Sequence, residues 1–326
     1  MYILKIFTII LFLFVSVNAS QDNARSVNSK KKLAYIVSDI KIPFWEIMSR
    51  GIKSHANALG YEIEVYSSEN IAKNELKSTV KAIRSKVSGI IVSPTTSSAC
   101  VTILKLAKAA AIPVVISDIG TDRGEYVSFI SSDNKDGAYR IGKILSKRMI
   151  ELGWDKGKVG IIAIPQKRLN GQLRTAGFME AISEYGIKGA GLKQQVTFSE
   201  KETYDFTIAL IKLNPNLRAV WLQGSDKYRG ALRAIEDSGK KDKILLATFD
   251  AEPEFLDLIP EGVLVGSAMQ QPYLMGEKAV YAMDMHLNGN EVDKDIQLPI
   301  LAISSKNISQ KLQTIKKYVL GIEIKR

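Results

Sequence analysis

The sequence has 326 residues, of which 46% are hydrophobic and 24% charged, and its formal net charge is +11 at pH 7. A chain of this length and apolar content can bury large cores, which predicts a globular protein with two lobes rather than one and excludes a mainly disordered chain. The lysines are spread along the chain apart from Lys30 to Lys32, so we interpret the charge as a solvated basic surface.

The chain begins with an apolar segment. Residues 1–19, MYILKIFTIILFLFVSVNA, have an early lysine, an apolar run from Ile6 to Val17 and small residues at the end. This pattern predicts a secretory signal peptide that is cleaved near Ala19. The alternative is an uncleaved anchor helix, but the run of about 12 residues is shorter than the roughly 20 that span a bilayer. We therefore expect the mature protein in the periplasm, and export argues against a nucleic-acid partner.

The sequence offers few residues for metal or redox chemistry. Cys100 is the only cysteine, so no internal disulfide can form, and we interpret it as a buried structural thiol. The two histidines, His55 and His286, lie in separate helix-like segments, and no Cys/His cluster occurs in the sequence. We therefore predict that the protein uses no metal and no cofactor.

Short apolar, β-branched runs alternate along the chain with longer amphipathic segments. The predicted strands are, in chain order, Leu33–Ser38, Glu62–Tyr66, Gly89–Ser93, Pro113–Asp118, Val127–Ser131, Val159–Ile164, Gln194–Phe198, Ala219–Gln223, Ile244–Phe249 and Val263–Ala268. The predicted helices are Phe44–Leu59, Ala72–Lys86, Ser98–Ala110, Gly137–Leu152, Leu169–Tyr185, Glu202–Leu213, Tyr228–Ser238 and Tyr273–Leu287. This alternation predicts βαβ units and parallel sheets whose two faces are covered by helices.

Two such sheets fit the length better than a single ten-stranded sheet. The alternation is interrupted at residues 120–134, where two predicted strands follow each other with no helix between them. We place a change of lobe there. The glycine-rich segment at residues 186–191 follows a helix rather than a strand, so we interpret it as a turn, and the lysine-rich tail after Leu301 is weakly patterned.

The carboxyl ends of the predicted strands are the expected ligand site, because ligands of open parallel α/β sheets bind there. Hydrogen-bonding side chains such as Asp118, Asp250 and Gln270 dominate these positions, and nucleophile–base pairs are missing from them. The usual hydrolase, metalloprotease and P-loop motifs do not occur in the sequence. Asp118 and Asp250 could form an acid/base pair as in glycosidases, but hydrogen bonding to a ligand is the favoured interpretation. The sequence therefore predicts a receptor, not an enzyme.

Six segments of the chain carry a family resemblance. In chain order they read YIVSDIKIPFWEIMSRGIKSHANALGYEIEV, GIIVSPTTSSA, IPVVISDIGTDRGEYVSFISSDN, GALRAIEDSGK, TFDAEP and MQQPYLMGEKAV. Together they resemble the ribose/galactose group of the periplasmic type I solute-binding proteins, which share their core with the lactose-type repressors. The resemblance implies two Rossmann-like lobes with parallel sheets, joined by a three-strand hinge that closes around a ligand. It implies an N-terminal lobe of residues 31–132 plus 271–300 and a C-terminal lobe of residues 133–270 plus 301–326.

The resemblance also implies a set of binding residues. Phe44 and Trp45 correspond to aromatic residues that sandwich a sugar ring, because an aromatic face covers C–H surface and leaves the hydroxyls free. Asp118, Asp250 and Gln270 correspond to hydrogen-bonding positions of the ribose-type site. The full set of predicted ligand-binding residues is Phe44, Trp45, Asp118, Asn134, Gln172, Arg174, Asp250 and Gln270.

Some positions depart from the sugar-binding pattern. Ile42 stands where sugar binders often have Asn, Ile119 where an Arg normally follows the Asp, and Gln172 where an Arg is common. Gly224 and Ser225 replace a usual Asn-Asp pair. These departures remove hydrogen-bond donors, so they argue against a standard ribose site.

Three ligand classes fit these departures. The first is a modified or less hydroxylated sugar. The second is the ligand of a sensory relative, because the autoinducer- and trimethylamine-oxide-binding members also carry a tryptophan at the Trp45 position. The third is a cation, held by the aromatic rings and by Asp118 and Asp250 through cation–π and ionic contacts.

The predicted function is a monomeric periplasmic receptor that traps a small polar ligand, a sugar or a sugar-like molecule, and delivers it to an ABC-type permease. The alternative is a ligand-sensing adapter for a membrane histidine kinase. Trp45 could instead be a core residue, Arg174 a structural arginine, and Asn134 and Gln270 hinge residues. Lys167 and Arg168 are interpreted as solvated loop charges.

Overall fold

Two six-stranded sheets organise the protein in the computed structural model, which describes residues 31–322. The predicted signal peptide of residues 1–19 lies outside the described residues. Among the helices of residues 31–322, none is both long and apolar enough to cross a membrane.

The strands and helices alternate along the chain as predicted. The strands are β1 Lys32–Val37, β2 Glu62–Ser67, β3 Gly89–Ser93, β4 Val114–Ser117, β5 Ser128–Ser132, β6 Lys158–Ala163, β7 Lys188–Gln194, β8 Leu217–Leu222, β9 Leu245–Phe249, β10 Gly266–Met269, β11 Asp295–Leu298 and β12 Leu301–Ser304. The helices are α1 Pro43–Ala58, α2 Ala72–Arg84, α3 Ser97–Ala109, α4 Asn134–Glu151, α5 Leu169–Glu184, α6 Glu200–Leu213, α7 Tyr228–Asp237, α8 Phe255–Leu258, α9 Pro272–Leu287 and α10 Ile308–Thr314. A π-helical turn, Ile315–Val319, follows α10.

The two sheets have equivalent strand orders. The first runs β11-β5-β4-β3-β1-β2 and the second β12-β10-β9-β8-β6-β7. All neighbouring strands of the first sheet are parallel, whereas β12 pairs antiparallel with β10 in the second. The central strands are continuously buried, as in β3 with its sequence GIIVS, because helices cover both faces of the sheet. The prediction of two Rossmann-like lobes is confirmed.

The chain passes between the sheets three times. The passages follow β5, β10 and β11, and the first of them is the predicted interruption of the alternation. They are tied together by backbone and side-chain hydrogen bonds: the Asp133 N–H donates to the Leu298 carbonyl oxygen at 3.1 Å, and Gln271 Nε2 donates to the Pro299 carbonyl oxygen at 2.8 Å. The predicted three-strand hinge is therefore confirmed.

The structure corrects two local predictions and adds two elements to the tail. Residues 186–191 are not a turn, because β7 begins at Lys188. β7 ends at Gln194, so the strand expected at Gln194–Phe198 lies earlier in the chain than predicted. β7 is an edge strand whose residues are largely exposed, so it lacks the apolar run that marks a buried strand. The tail after Leu301 contains β12 and α10, and Ile308 and Ile315 bury their side chains in the second lobe.

The buried thiol was predicted correctly. Cys100 lies on α3 with none of its surface exposed, in an apolar cluster with Ile103 and Ile116. Burial raises the pKa of its thiol to about 12. The group is therefore protonated and unreactive at neutral pH, as expected for a structural cysteine.

Candidate ligand-binding site

A cavity of about 60 Å³ lies between the lobes, where the carboxyl ends of both sheets face each other. Its wall is formed by Ile42, Phe44, Trp45, Asp118, Ile164, Arg168, Asn170, Arg174, Gln195, Phe198, Gln223, Gly224, Ser225, Asp226, Asp250, Glu252 and Gln270. The cavity brings together six of the eight predicted binding residues; Asn134 and Gln172 are not in its wall.

Asp118 and Asp250 occupy equivalent positions in the two lobes. Asp118 directly follows β4 and Asp250 directly follows β9, and their φ angles are 71° and 64°. Both backbone N–H groups still donate to the next strand, to the carbonyl oxygens of Ile130 and Ala268. Asp tolerates this left-handed conformation better than most residues. The chain turns sharply at both places, and the two carboxylates line the cleft.

Asp118 is held by donors from both lobes. Trp45 Nε1 donates to Asp118 Oδ2 at 3.1 Å, and Asn170 Nδ2 donates to Oδ1 at 3.3 Å. Burial raises the pKa of this carboxyl group, against the opposing effect of the charges of Arg174 and Arg168. The carboxylate therefore links the aromatic wall of the first lobe to the first turn of α5 in the second.

Asp250 is held by an amide and an arginine. Gln270 Nε2 donates to Asp250 Oδ1 at 2.8 Å, and Arg174 Nη1 lies 3.6 Å from Oδ2. Burial raises the pKa of Asp250 to about 6 although the Arg174 charge lowers it. Gln270 Oε1 is buried and has no hydrogen-bond partner among the described residues. This oxygen is available to accept a hydrogen bond from a ligand hydroxyl.

Arg174 is both a structural arginine and a cavity residue. Its Nε donates to Asn134 Oδ1 at 2.8 Å, its Nη1 donates to the Gln223 carbonyl oxygen at 2.6 Å, and its guanidinium carbon lies 3.8 Å from the Phe249 ring centre. Only 3% of the residue is exposed. Asn134 thus contributes by fixing Arg174 rather than by lining the cavity. It borders a separate cavity near the hinge.

Phe44 and Trp45 form one aromatic wall. Their ring centres are 6.3 Å apart and the rings are inclined by 76°. Trp45 also packs into the core of the first lobe, next to Met48, and is only 4% exposed. Trp45 therefore both lines the cavity and packs in the core of the first lobe. A third ring, Phe198, lines the cavity from the second lobe.

Gln172 lies outside the cavity. Its side chain is exposed, and its Nε2 donates to the Gln166 carbonyl oxygen at 2.9 Å. The reason is the phase of α5, on which Asn170 and Arg174 are four residues apart and share the cleft-facing side. A residue between them points away from that side.

Several residues of the cavity wall are not predicted from the sequence, among them Arg168, Phe198 and Asn170. Arg168 was interpreted as a solvated loop charge, but it is 5% exposed and lies over the rings of Trp45 and Phe198, with its guanidinium carbon 5.4 and 5.5 Å from the ring centres. Phe198, predicted to lie in a strand, follows the end of β7, and Asn170 lies in the first turn of α5. The available signal was position, because Arg168 and Asn170 follow the carboxyl end of β6 and Phe198 follows that of β7.

The cavity contains both signs of charge. Four acidic residues line it, Asp118, Asp226, Asp250 and Glu252, and burial raises the pKa of Glu252 to about 7. Arg168 and Arg174 are the cationic residues of the wall. Arg174 lies close to Asp250, and the charges of both arginines act on Asp118, so these two acids already have cationic neighbours.

The chain matches a family model, described as a periplasmic binding protein domain, over residues 33–291. It is 28% identical over 264 residues to the ribose import binding protein of Escherichia coli (strain K12), covering 81% of this chain and 87% of that protein. It is 27% identical over 266 residues to the D-apiose import binding protein of Actinobacillus succinogenes, covering 81% of this chain and 84% of that protein.

Solved structures with the same fold include sugar complexes. A carbohydrate transporter solute-binding protein from Agrobacterium radiobacter, in complex with D-arabinose, superposes with a TM-score of 0.81 at 22% identity, covering 90% of this chain and 99% of that one. A periplasmic solute-binding protein from Actinobacillus succinogenes with bound D-allose gives a TM-score of 0.79 at 21% identity, covering 86% and 100%. The fold, the three passages between the lobes and the family match agree. The chain belongs to the periplasmic binding protein family, whose members bind solutes rather than transform them.

Proposed function

We propose that this protein binds a single sugar ring between its lobes in the periplasm and delivers it to an ABC-type permease. The observation that carries the proposal is the pairing, in one cavity, of an aromatic wall with carboxylate and amide acceptors from both lobes. Aromatic faces cover the C–H surface of a sugar, and acids such as Asp118 and Asp250 accept hydrogen bonds from its hydroxyls. The acceptor oxygen of Gln270 adds a third such position.

The size of the cavity supports a monosaccharide. A cavity of about 60 Å³ is small, which favours one sugar ring over a disaccharide. Several named relatives support the same class, since they are import proteins for ribose and D-apiose. Their names also support delivery to a permease over signalling to a histidine kinase.

A cationic ligand is less well supported. The guanidinium of Arg168 lies over the Trp45 ring, where a cation would make its cation–π contact. Arg174 in turn neutralises Asp250. A positive charge placed against Trp45 or Asp250 would therefore lie close to an arginine.

The mechanism follows from the two-lobe arrangement. A ligand that contacts Asp118 in one lobe and Asp250 in the other favours the closed state, because it gains all its hydrogen bonds only when the cleft is shut. We propose that the lobes comprise residues 31–132 plus 271–300 and residues 133–270 plus 301–326, and that the protein acts as a monomer. The permease then recognises the closed form.

A thermal-shift screen tests this proposal. The first prediction is that D-ribose, D-allose or D-apiose raises the unfolding temperature of the wild-type protein, because a ligand that binds only the folded state stabilises it. Choline and trimethylamine oxide are expected to leave the temperature unchanged. Stabilisation by choline with no response to any monosaccharide would contradict the proposal.

The matched control is an exposed variant. Gln172→Ala removes a polar side chain of the same helix as Arg174 but lies outside the cavity, so it is expected to keep the wild-type response. Gln270→Leu removes the amide within the cavity and is expected to reduce it.

A further inference from the structure

Arg168 joins the two lobes across the cleft. It lies in the loop between β6 and α5 of the second lobe. Its guanidinium donates to three acceptors of the first lobe: the Thr95 carbonyl oxygen at 3.1 Å, Asn70 Oδ1 at 3.1 Å and Ser38 Oγ at 3.4 Å. Since a buried guanidinium is costly unless its donors are satisfied, these contacts favour the arrangement in which the cleft is shut.

The acceptors on the first lobe are held in place by their own neighbours. The Thr95 N–H and hydroxyl both donate to the carboxylate of Glu75, at 2.7 and 3.0 Å. Ser38 Oγ donates to Asn70 Oδ1 at 2.7 Å. Because all partners of the guanidinium here are protein groups, its contribution to closure does not require a particular ligand.

The same side chain also forms part of the cavity wall. Its guanidinium lies between the rings of Trp45 and Phe198, which belong to different lobes. Ser38, Asn70 and Thr95 are not in the cavity wall. The interlobe contact can therefore be weakened from the first lobe without changing a residue that lines the cavity.

We propose that Arg168 is a positioning residue that clamps the lobes together and so raises the affinity for the ligand. If only the closed state binds tightly, the apparent dissociation constant is the intrinsic one divided by the closed fraction. Losing the clamp lowers that fraction. The effect on sugar affinity depends on the proposed function, whereas the effect on closure does not.

Interlobe distance measurements test the clamp. Lys73 and Lys201 are exposed and lie near the starts of α2 and α6 on opposite lobes, so Lys73→Cys and Lys201→Cys provide sites for spin labels. The native Cys100 is fully buried and does not compete for the label. In ligand-free protein, Arg168→Ala is expected to shift the distance distribution to longer values, and Arg168→Lys to give an intermediate shift.

Two further variants separate the clamp from direct ligand contact. Asn70→Gly removes an acceptor outside the cavity and suits the local φ of 58°, so it is expected to lengthen the distances as Arg168→Ala does. Lys167→Ala removes the neighbouring exposed charge and is expected to match the wild type. For D-ribose or D-allose, calorimetry is expected to give an affinity about tenfold lower in Arg168→Ala and lower in Asn70→Gly.

The outcomes are distinguishable. Unchanged distance distributions in both Arg168→Ala and Asn70→Gly would overturn the clamp, as would a loss of affinity confined to Arg168→Ala, because that would indicate direct ligand contact alone. Longer distances in both variants, together with no sugar binding by the wild type, would support the clamp and refute the proposed function. Thermal unfolding near the wild-type temperature confirms that each variant is folded.

Discussion

The hydrogen bond from Trp45 to Asp118 connects the two chemical parts of the cavity. The indole N–H fixes one carboxylate oxygen while the ring forms the apolar wall, so the orientation of the acid depends on the tryptophan. Asp118 in turn accepts from Asn170 of the other lobe. A change at Trp45 therefore affects stacking and hydrogen bonding together, and a variant that retains an aromatic ring separates them.

Trp45→Phe is predicted to weaken sugar binding by about 1–2 kcal/mol, which is roughly a five- to thirtyfold loss of affinity, because Asp118 loses a donor while the wall keeps a ring. Calorimetric titration measures the loss. Trp154→Phe is the control, since Trp154 packs in the second lobe away from the cavity, and it is expected to bind as the wild type does. Unchanged affinity in Trp45→Phe would show that the indole N–H does not organise the site.

For individual residues, the polar side chains at strand ends could be predicted from the sequence. The burial of a residue against the opposite lobe could not. Asp118, Asp250 and Gln270 follow buried strands, so their convergence can be predicted from topology. Arg168 is buried against the opposite lobe, and no local pattern in the sequence records that contact. Gln172 lies outside the cavity because another side of α5 faces the cleft, and the sequence alone does not indicate which side that is.

At the scale of elements, the loop between β3 and α3 depends on a buried acid from α2. Glu75 has none of its surface exposed, and it accepts two hydrogen bonds from Thr95. Burial raises the pKa of Glu75 to about 7, although the Thr95 hydrogen bonds and the Arg168 charge lower it. The loop is thus fixed by a carboxyl group that titrates near neutral pH.

The predicted consequence is a stability that falls as pH rises. Between the ordinary pKa of 4.5 and the folded value of about 7, the folded state binds more protons than the unfolded state, so each step up in pH favours unfolding. Glu75 alone accounts for at most about 3 kcal/mol of this loss. Denaturant unfolding from pH 5 to pH 8 measures it, and Glu75→Gln is expected to show a smaller loss over that range.

Asp250 and Glu252 have raised pKa values in the same direction, so a residual slope is expected in the Glu75→Gln variant. Gln172→Ala serves as the reference variant, because Gln172 is exposed and its side chain contacts none of the three acids. An identical pH slope in Glu75→Gln and the wild type would show that Glu75 is ionised in the folded protein throughout.

Most elements could be predicted because their strands are buried on both faces and their helices are amphipathic. The strands β7, β11 and β12 could not be predicted from the sequence, and the physical reason is the same for all three. β7 is an edge strand with glycines and lysines, and the other two are short strands at the outer edges of the sheets whose pairing is set by the chain's passages between lobes. Such strands depend on backbone hydrogen bonds to one neighbour rather than on an apolar run.

At the scale of the whole molecule, two similar sheets meet at their carboxyl ends and each contributes an aspartate in a left-handed conformation. The duplicated strand order places Asp118 and Asp250 on opposite sides of one cavity, and the three passages between the lobes leave the cleft side free to open. A receptor that works by closure needs this combination of facing binding groups and a narrow hinge.

The central claim is that the cavity holds a single sugar ring. Mass spectrometry of the small molecule released on denaturing protein purified from the periplasm tests it most directly. The account predicts a pentose or hexose, unmodified or modified, in about one copy for each chain. Release of a quaternary amine, an amine oxide or a disaccharide in the same amount would contradict the account.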